Sequence, residues 1–167
     1  MAVPESEVVN VELIPSDEEN SNLGNVALIT INRPNKLNSL NSEVMDSIKK
    51  ICQWVESDDS VRCVVLTGAK PLTPEEGKRA KPHSFVAGAD ITEFVGMKSD
   101  EIKVKFSNNA VEALWSLSKP TIAMIDGYCI GGGLNVAVCC DIRICSKKSQ
   151  FAMPAAKLSL GYPFSSI

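Results

Sequence analysis

Histidine is almost absent from this sequence, because His83 is the only one among 167 residues. Histidine is the commonest metal ligand and the side chain that most readily exchanges protons near neutral pH. Cysteine does not replace it as a ligand, since the one adjacent pair, Cys139-Cys140, lacks the CxxC spacing of a zinc site. We therefore expect no metal site.

Long hydrophobic runs and the marks of a targeting segment are also missing. No apolar run approaches the length needed to span a bilayer. The acidic N-terminal stretch lacks the apolar core of a secretory signal and the arginines of a mitochondrial one. The six cysteines lie mostly inside apolar runs, which is typical of small buried side chains in a reducing compartment. We expect a cytoplasmic protein, with peroxisomal and mitochondrial locations left open.

An excess of positive charge is missing as well. The 17 lysines and arginines are outnumbered by 20 aspartates and glutamates, which gives a formal net charge of −3. Without a basic stripe, nucleic acid is not expected to be the main partner. A hydrophobic content of 44% with 22% charged residues is that of an ordinary globular protein, and the length suits one domain over 1–167.

Apolar runs and helical periodicity predict an α/β fold. Short β-branched runs predict strands at 26–31, 62–67 and 121–125. An amphipathic helix capped by Ser39 or Asn41 lies between the first two, and this order implies a parallel strand pair. The remaining predictions are short strands before residue 16, at 142–145 and at 151–154, and helices over 102–117 and 134–140.

A polar stretch interrupts this pattern and predicts a surface loop inserted over 69–84, because it carries three prolines and shows no periodicity. His83, at its foot, is expected to be structural or solvated. The basic residues of the loop, together with Arg33 and Lys36, belong either to a solvated surface or to a contact with a polyanionic ligand. The basic loop residues are Lys70, Lys78, Arg79 and Lys81.

The chain centres on the stretch from Lys119 to Ile142, where three glycines, Gly131 to Gly133, precede a short apolar helix. Glycines let the backbone approach a ligand closely, and the first N–H groups of a helix have no partner inside it. Such amides suit an anion, or an oxygen that becomes anionic during a reaction. The same glycines equally suit a hinge or tight strand-to-helix packing.

A second glycine-containing turn lies in FVAGADITEF, residues 85–94. Asp90 followed by Glu93 has the spacing of a capping box, which predicts that a helix begins here. Asp90 invites a catalytic interpretation, but helix capping is the more ordinary role. Both turns offer backbone N–H groups, and a pair of such donors around one site makes an oxyanion hole. Spacing alone does not establish that pairing.

Three segments in this order, NRPNKLNSLN, FVAGADITEF and DGYCIGGGLNVAVCCDIRIC, resemble the signature segments of the crotonase (enoyl-CoA hydratase/isomerase) family. The resemblance runs from about residue 26 to the C-terminus, so that 26–167 is the family-like core. It implies a spiral of repeated ββα units. It also implies an enzyme, a lyase or isomerase, whose substrates are coenzyme A thioesters, with no bound cofactor besides the CoA of the substrate.

The resemblance also assigns roles to individual residues by their motif position. It implies that the backbone N–H groups of Ala89 and Gly132 hold the thioester oxygen and stabilise an enolate. Other positions are implied to contact the substrate, three at the adenine and four around the two amides. These are Lys36, Leu37 and Asn38 for the adenine, and Ala87, Asp90, Ile91 and Gly131 around the amides.

One departure from the family pattern bears on the reaction. The glutamates that family hydratases use for proton transfer fall on Asn135 and Ala155, and neither residue exchanges a proton at neutral pH. Asn135 has two interpretations, an orienting role at the acid/base position and a plain structural role. Tyr162 and His83 are the remaining candidate proton donors. Decarboxylation or thioester cleavage suits a site without two glutamates; the alternatives are a non-catalytic acyl-CoA-binding protein and a truncated fragment.

The end of the chain is a second departure. The resemblance implies that relatives continue into helices that complete the pocket and build a homotrimer or a dimer of trimers. We therefore expect the fold to be truncated before that C-terminal helical trimerisation region.

Overall fold

The computed structural model describes residues 2–17, 23–98, 101 and 110–154. The strands within them are β1 (Val9–Pro15), β2 (Asn25–Ile31), β3 (Val61–Gly68), β4 (Ser84–Val86), β5 (Thr121–Ile125), β6 (Tyr128–Ile130), β7 (Ile142–Cys145) and β8 (Gln150–Ala152). The α-helices are α1 (Ser42–Ser57), α2 (Ala110–Trp115) and α3 (Gly132–Cys139). Two 3-10 helices cover Pro34–Lys36 and Ile91–Phe94.

The strands form two sheets that grow in step along the chain. One sheet has the order β1-β2-β3-β5-β7 and the other the order β4-β6-β8. Among the described strands, β1 pairs antiparallel with β2, and all the other pairs are parallel. The successive strand pairs β3–β4, β5–β6 and β7–β8 thus each add one strand to each sheet. This confirms the predicted α/β class and the ββα spiral.

Helix α1 is amphipathic, as its apolar spacing predicts, and it packs into the main core. Of the two predicted caps, Asn41 is the one used: its Oδ1 accepts a hydrogen bond from the Val44 N–H at 3.0 Å. Burying a large apolar side chain contributes about 1.5–3 kcal/mol relative to leaving it exposed. The buried residues of α1 are Val44, Ile48, Ile51, Cys52, Trp54 and Val55.

The helix predicted to begin at Asp90 needs correction, because the structure has a single 3-10 turn there. Asp90 does cap this turn, accepting from the Thr92 N–H at 3.2 Å. Glu93 does not complete a capping box. Its carboxylate accepts instead from the N–H and hydroxyl of Ser42, each at 3.0 Å, so a pair of donors distant in sequence replaces the local one.

Two other predicted boundaries also change. The surface loop predicted over 69–84 ends at residue 83, because Ser84 is buried as the first residue of β4. The helix predicted over 102–117 contains α2, but residues 102–109 lie outside the described residues. In the part of the chain that is described, no helix has the length and hydrophobicity to cross a membrane.

One edge strand of each sheet, β7 in the first and β8 in the second, is exposed along its whole length. They carry apolar side chains outward, among them Ile142, Ile144 and Phe151, which are 52%, 58% and 49% exposed. Cys145 is exposed with them, so the expectation that the cysteines are buried is wrong for this one. All six cysteines are free thiols.

Close packing of α3 on β4 depends on Gly133. A Cβ on Gly133 would lie 2.2 Å from the Val86 carbonyl oxygen, a distance that real Cβ atoms do not reach. At the neighbouring Gly132 the nearest atom to an added Cβ would be Leu40 Cδ1 at 3.2 Å, the end of a side chain that can move. The first residues of α3 therefore lie against β4 only because one of them lacks a side chain.

We expect Gly133→Ala to lower the free energy of unfolding by about 1–3 kcal/mol, the usual cost of overpacking, although alanine is intrinsically the better helix former. Gly132→Ala is the matched control in the same turn and is expected to cost less than half as much. Urea unfolding followed by circular dichroism measures both. Equal stabilities of the two variants would contradict the close contact.

The cysteine thiols give a second test of the core. Burial raises the pKa of Cys52 and of Cys140 to about 12. At pH 8, four units below this pKa, we therefore expect about one molecule in 10⁴ to carry a thiolate at either position. Because the thiolate is the reactive form, both thiols are expected to react slowly in the folded protein. Cys145 is expected to react first with an aromatic disulfide reagent, with Cys52 and Cys140 reacting on denaturation. Peptide mapping identifies the modified residues, and early labelling of Cys52 would contradict the packing.

Candidate active site

The two turns singled out in the sequence meet because of the smaller sheet. β4 and β6 are parallel neighbours, and their carboxyl ends run directly into residues 87–89 and 131–132. Carboxyl ends of parallel strands open at the same edge of a sheet, where ligands commonly bind in α/β folds. A cavity of about 70 Å³ lies between these turns and the start of α1. Its lining residues are Leu40, Asn41, Ser42, Met45, Ala89, Glu93, Phe94, Val111, Gly132 and Asn135.

The direction of the Ala89 amide is set by pairing with Leu40. The Leu40 N–H donates to Gly88 O at 2.8 Å, and the Asp90 N–H donates to Leu40 O at 2.7 Å, which makes a short parallel bridge. Gly88 C=O and Ala89 N–H belong to one planar trans peptide and point in opposite directions. Because the carbonyl faces Leu40 N, the Ala89 N–H is directed away from the Leu40 main chain.

The second amide, on Gly132, opens helix α3. Gly131 precedes the helix with φ 53° and ψ −115°, a conformation that only glycine adopts readily. The Gly131 carbonyl accepts the N–H groups of Leu134 and Asn135, so it points into the helix. The Gly132 N–H, on the opposite side of that peptide, points out of the helix start, where the helix dipole favours negative charge.

Gly132 and Ala89 are neighbours at this cavity. A Cβ built on Gly132 would be 3.7 Å from Ala89 N. Among the hydrogen bonds of the described residues, neither Ala89 N–H nor Gly132 N–H is a donor. Both residues are only partly buried and line the same cavity. Two adjacent amides with this access are suited to a single oxygen that carries negative charge.

Four polar residues line the cavity, Asn41 and Ser42 at the start of α1 together with Glu93 and Asn135. Asn135, one turn into α3, stands at the predicted acid/base position. Glu93 was missed as a site residue in the sequence, where its spacing from Asp90 indicated a cap. The structure turns its carboxylate to the start of α1, and this contact spans 51 residues of sequence, so no local pattern reveals it. No group of three or more metal-ligating side chains is found among the described residues.

Arg33 and Asp90 form an ion pair beside the first amide. Arg33 Nη2 lies 2.9 Å from Asp90 Oδ2, and Nη1 donates to Ser39 O at 2.7 Å. Arg33 thus belongs to an internal network and not to a free basic surface. Hydrogen bonding from the Thr92 hydroxyl, with a further contribution from Arg33, lowers the pKa of Asp90 to about 2. The carboxylate is therefore ionised throughout the physiological range.

The residues assigned to the adenine lie on the turn after β2, next to the surface loop. Lys36 is exposed and Leu37 is half-buried. Asn38 is 1% exposed, and its side chain donates to Ala69 O and Ser84 O and accepts from the Arg33 N–H. These bonds occupy the amide of Asn38, so a contact with substrate would have to use its main chain.

The other predicted substrate contacts are near the cavity without lining it. The Ala87 N–H donates to Leu37 O, and the Gly131 N–H donates to Ala152 O. Ile91 is 60% exposed, and the Asp90 side chain is only 7% exposed. Roles for these residues toward a substrate stay predictions.

Of the alternative proton donors, His83 lies away from the cavity. Its Nδ1 is 2.5 Å from Asp126 Oδ2 in an exposed pair on the surface. A hydrogen bond from Ser146 and the pairing with His83 lower the pKa of Asp126. Ala155 and Tyr162 lie outside the described residues.

Comparisons with known proteins show which proteins this chain is similar to. A profile of the enoyl-CoA hydratase/isomerase family matches residues 21–164. The short-chain-enoyl-CoA hydratase of Clostridium acetobutylicum is 40% identical over 140 residues, covering 82% of this chain and 49% of that protein. The mitochondrial enoyl-CoA hydratase of Pongo abelii is 36% identical over 146 residues, covering 87% of this chain and 46% of that protein.

Solved structures show the same likeness in three dimensions. A crystal structure of an enoyl-CoA hydratase/carnithine racemase from Magnetospirillum magneticum superposes with a TM-score of 0.78 at 28% identity, covering 97% of this chain and 55% of that one. DspI of Pseudomonas aeruginosa gives a TM-score of 0.74 at 30% identity, covering 95% and 57%. The chain spans about half the length of the curated relatives it matches. Since the family profile extends over most of its residues, this chain belongs to the enoyl-CoA hydratase/isomerase family.

Proposed function

We propose that the protein processes acyl-CoA thioesters by stabilising a thioester enolate with the amides of Ala89 and Gly132. The observation that carries this proposal is that Ala89 and Gly132 are neighbours at one cavity, and that neither N–H group has a partner among the described residues. Membership of the enoyl-CoA hydratase/isomerase family supports the class of substrate. The thioester carbonyl oxygen would lie between the amides. It would gain negative charge when the α-carbon loses a proton or carbon dioxide, because the electron pair of the broken bond passes into the enolate.

The surroundings suit such a charge because one wall of the cavity is apolar. Leu40, Met45, Phe94 and Val111 give the cavity an apolar wall. In a site of low dielectric, each preorganised donor contributes about 2.7–4 kcal/mol of barrier lowering.

The remainder of the substrate is assigned by family likeness. Contacts to the adenine are proposed for Lys36, Leu37 and Asn38, and contacts around the thioester for Ala87, Asp90, Ile91 and Gly131. Assembly as a homotrimer or a dimer of trimers, a cytoplasmic location and a role in fatty acid metabolism stay predictions. No cofactor beyond the CoA of the substrate is proposed.

Gly132→Pro tests the amide directly. Proline is well tolerated at the first position of a helix but has no N–H, so the variant removes one donor and leaves α3 able to form. We expect kcat on the best acyl-CoA of a thioester panel to fall about 10²–10³-fold. Loss of the conjugated-enoyl absorbance, checked by mass spectrometry of the products, measures the rate.

Gly132→Ala is the control for the added bulk, because it keeps the N–H and places a methyl group near Leu40 Cδ1. It is expected to retain at least a tenth of the parental kcat. A folded Gly132→Pro variant with the parental rate would refute the role of this amide.

A second candidate function is a non-catalytic acyl-CoA-binding protein, which the identity of residue 135 favours. Asn135 lines the cavity beside Gly132 but does not exchange a proton. Water addition to an enoyl thioester needs acid–base help, which is typically worth about 10²–10⁴-fold. This candidate predicts that acyl-CoA binds without turnover.

Asn135→Glu separates the two candidates, with Asn135→Gln as the uncharged control of equal size. If the site has a working oxyanion hole and lacks only a proton carrier, the glutamate is expected to raise crotonyl-CoA hydration at least 10-fold over the glutamine variant. Parent and variant are compared by absorbance, with binding followed by calorimetry. Tight binding with no turnover in the parent or in the glutamate variant would favour the binding protein.

A further inference from the structure

The largely buried ion pair Arg33–Asp90 does not itself bind the enolate oxygen in the proposed function, although Asp90 is among the residues proposed to lie around the thioester. Its side chains are 14% and 7% exposed, whereas the other ion pairs of the described residues, Lys78–Glu75 and His83–Asp126, are more than half exposed. A buried pair is weak evidence for a gain in stability, because desolvation of two charges offsets much of their attraction. Its position beside Ala89 suggests that it controls geometry.

The guanidinium joins the two segments whose pairing orients the Ala89 amide. On one side Arg33 Nη1 donates to Ser39 O and Oγ, at 2.7 and 3.3 Å, directly before Leu40. On the other side Nη2 donates to Asp90 Oδ2, directly after Ala89. The Leu40–Ala89 bridge thus lies between the two ends of a single planar fork.

Asp90 is itself held from a second direction. Its Oδ1 accepts from the Thr92 hydroxyl at 2.6 Å and from the Thr92 N–H at 3.2 Å. The carboxylate therefore has one oxygen on the turn that follows Ala89 and the other on Arg33. Rotation of the Ala89 peptide would break the bridge bonds to Leu40 and disturb these contacts together.

We propose that Arg33 is a positioning residue that holds the Ala89 amide in its donating direction by bracing Ser39 against Asp90. This inference rests on the proposed function, in which that amide binds the thioester oxygen. Oxyanion donors act over a narrow range of about 2.7–3.1 Å, so a small rotation of the peptide weakens the bond to the developing charge. Lysine cannot replace the guanidinium fully, because it lacks the rigid fork that reaches two acceptors.

The test uses Arg33→Met and Arg33→Lys, with Lys50→Met on the exposed side of α1 as the control for lost charge. A 2,4-dienoyl-CoA serves as the probe, because hydrogen bonding to its carbonyl shifts the absorbance of the bound chromophore to longer wavelength. Turnover of crotonyl-CoA is measured alongside. Both readouts are normalised to the folded fraction from circular dichroism.

We expect Arg33→Met to lose at least half of the wavelength shift and to lower kcat about 10–100-fold, with KM changed less than threefold. Arg33→Lys is expected to be intermediate and Lys50→Met to match the parent.

If Arg33→Met does not fold, Asp90→Asn breaks the same charge pair and is expected to show the same loss. A full shift and parental kcat in the folded variant would overturn the proposal for Arg33. Absence of any wavelength shift in the parent, or an equal shift in Gly132→Pro and the parent, would overturn the proposed function and this inference with it.

Discussion

The candidate site depends first on the hydrogen bonds between Leu40 and the segment from Gly88 to Asp90. They join the turn before α1 to the turn after β4, with three elements (α1, β3 and β4) between them in the chain, and so decide which way the Ala89 peptide faces. The two donors reach the cavity by different means. Gly132 opens an α-helix of eight residues and gains from its dipole, whereas a four-residue 3-10 turn follows Ala89. The direction of the Ala89 amide therefore rests on strand-like pairing.

Local pattern was enough to predict most of the framework. β-branched runs placed β2, β3 and β5 within a residue or two, and apolar spacing placed α1 with Asn41 among its two candidate caps. The stepwise growth of the two sheets followed from strand order only once the family resemblance was added, since spacing does not say which strands pair. The two amide-bearing turns were found from glycine position, but their contact was not.

What the sequence did not reveal are contacts between residues far apart in it. Glu93 has the spacing of a capping residue, yet it bonds to Ser42, 51 positions earlier. Arg33 was expected on a solvated surface or in contact with a polyanionic ligand, yet it pairs with Asp90, 57 positions later in the sequence. In both cases the local sequence is consistent with one role, and a hydrogen bond to a residue far away in the sequence gives the side chain another. Cys145 was misjudged for a related reason, because an apolar run also forms an exposed edge strand.

The side chain of Asn38 fastens Ala69 and Ser84, the residues on either side of the long polar loop. Because both ends of the loop are hydrogen-bonded to the one buried amide, they are held close together whatever residues the loop contains. The entropic free-energy cost of closing a flexible loop rises by only about 0.6 kcal/mol when the number of residues in the loop doubles. Adding or removing residues in this segment is therefore expected to change the stability of the fold little, as long as the Asn38 hydrogen bonds at its two ends are kept.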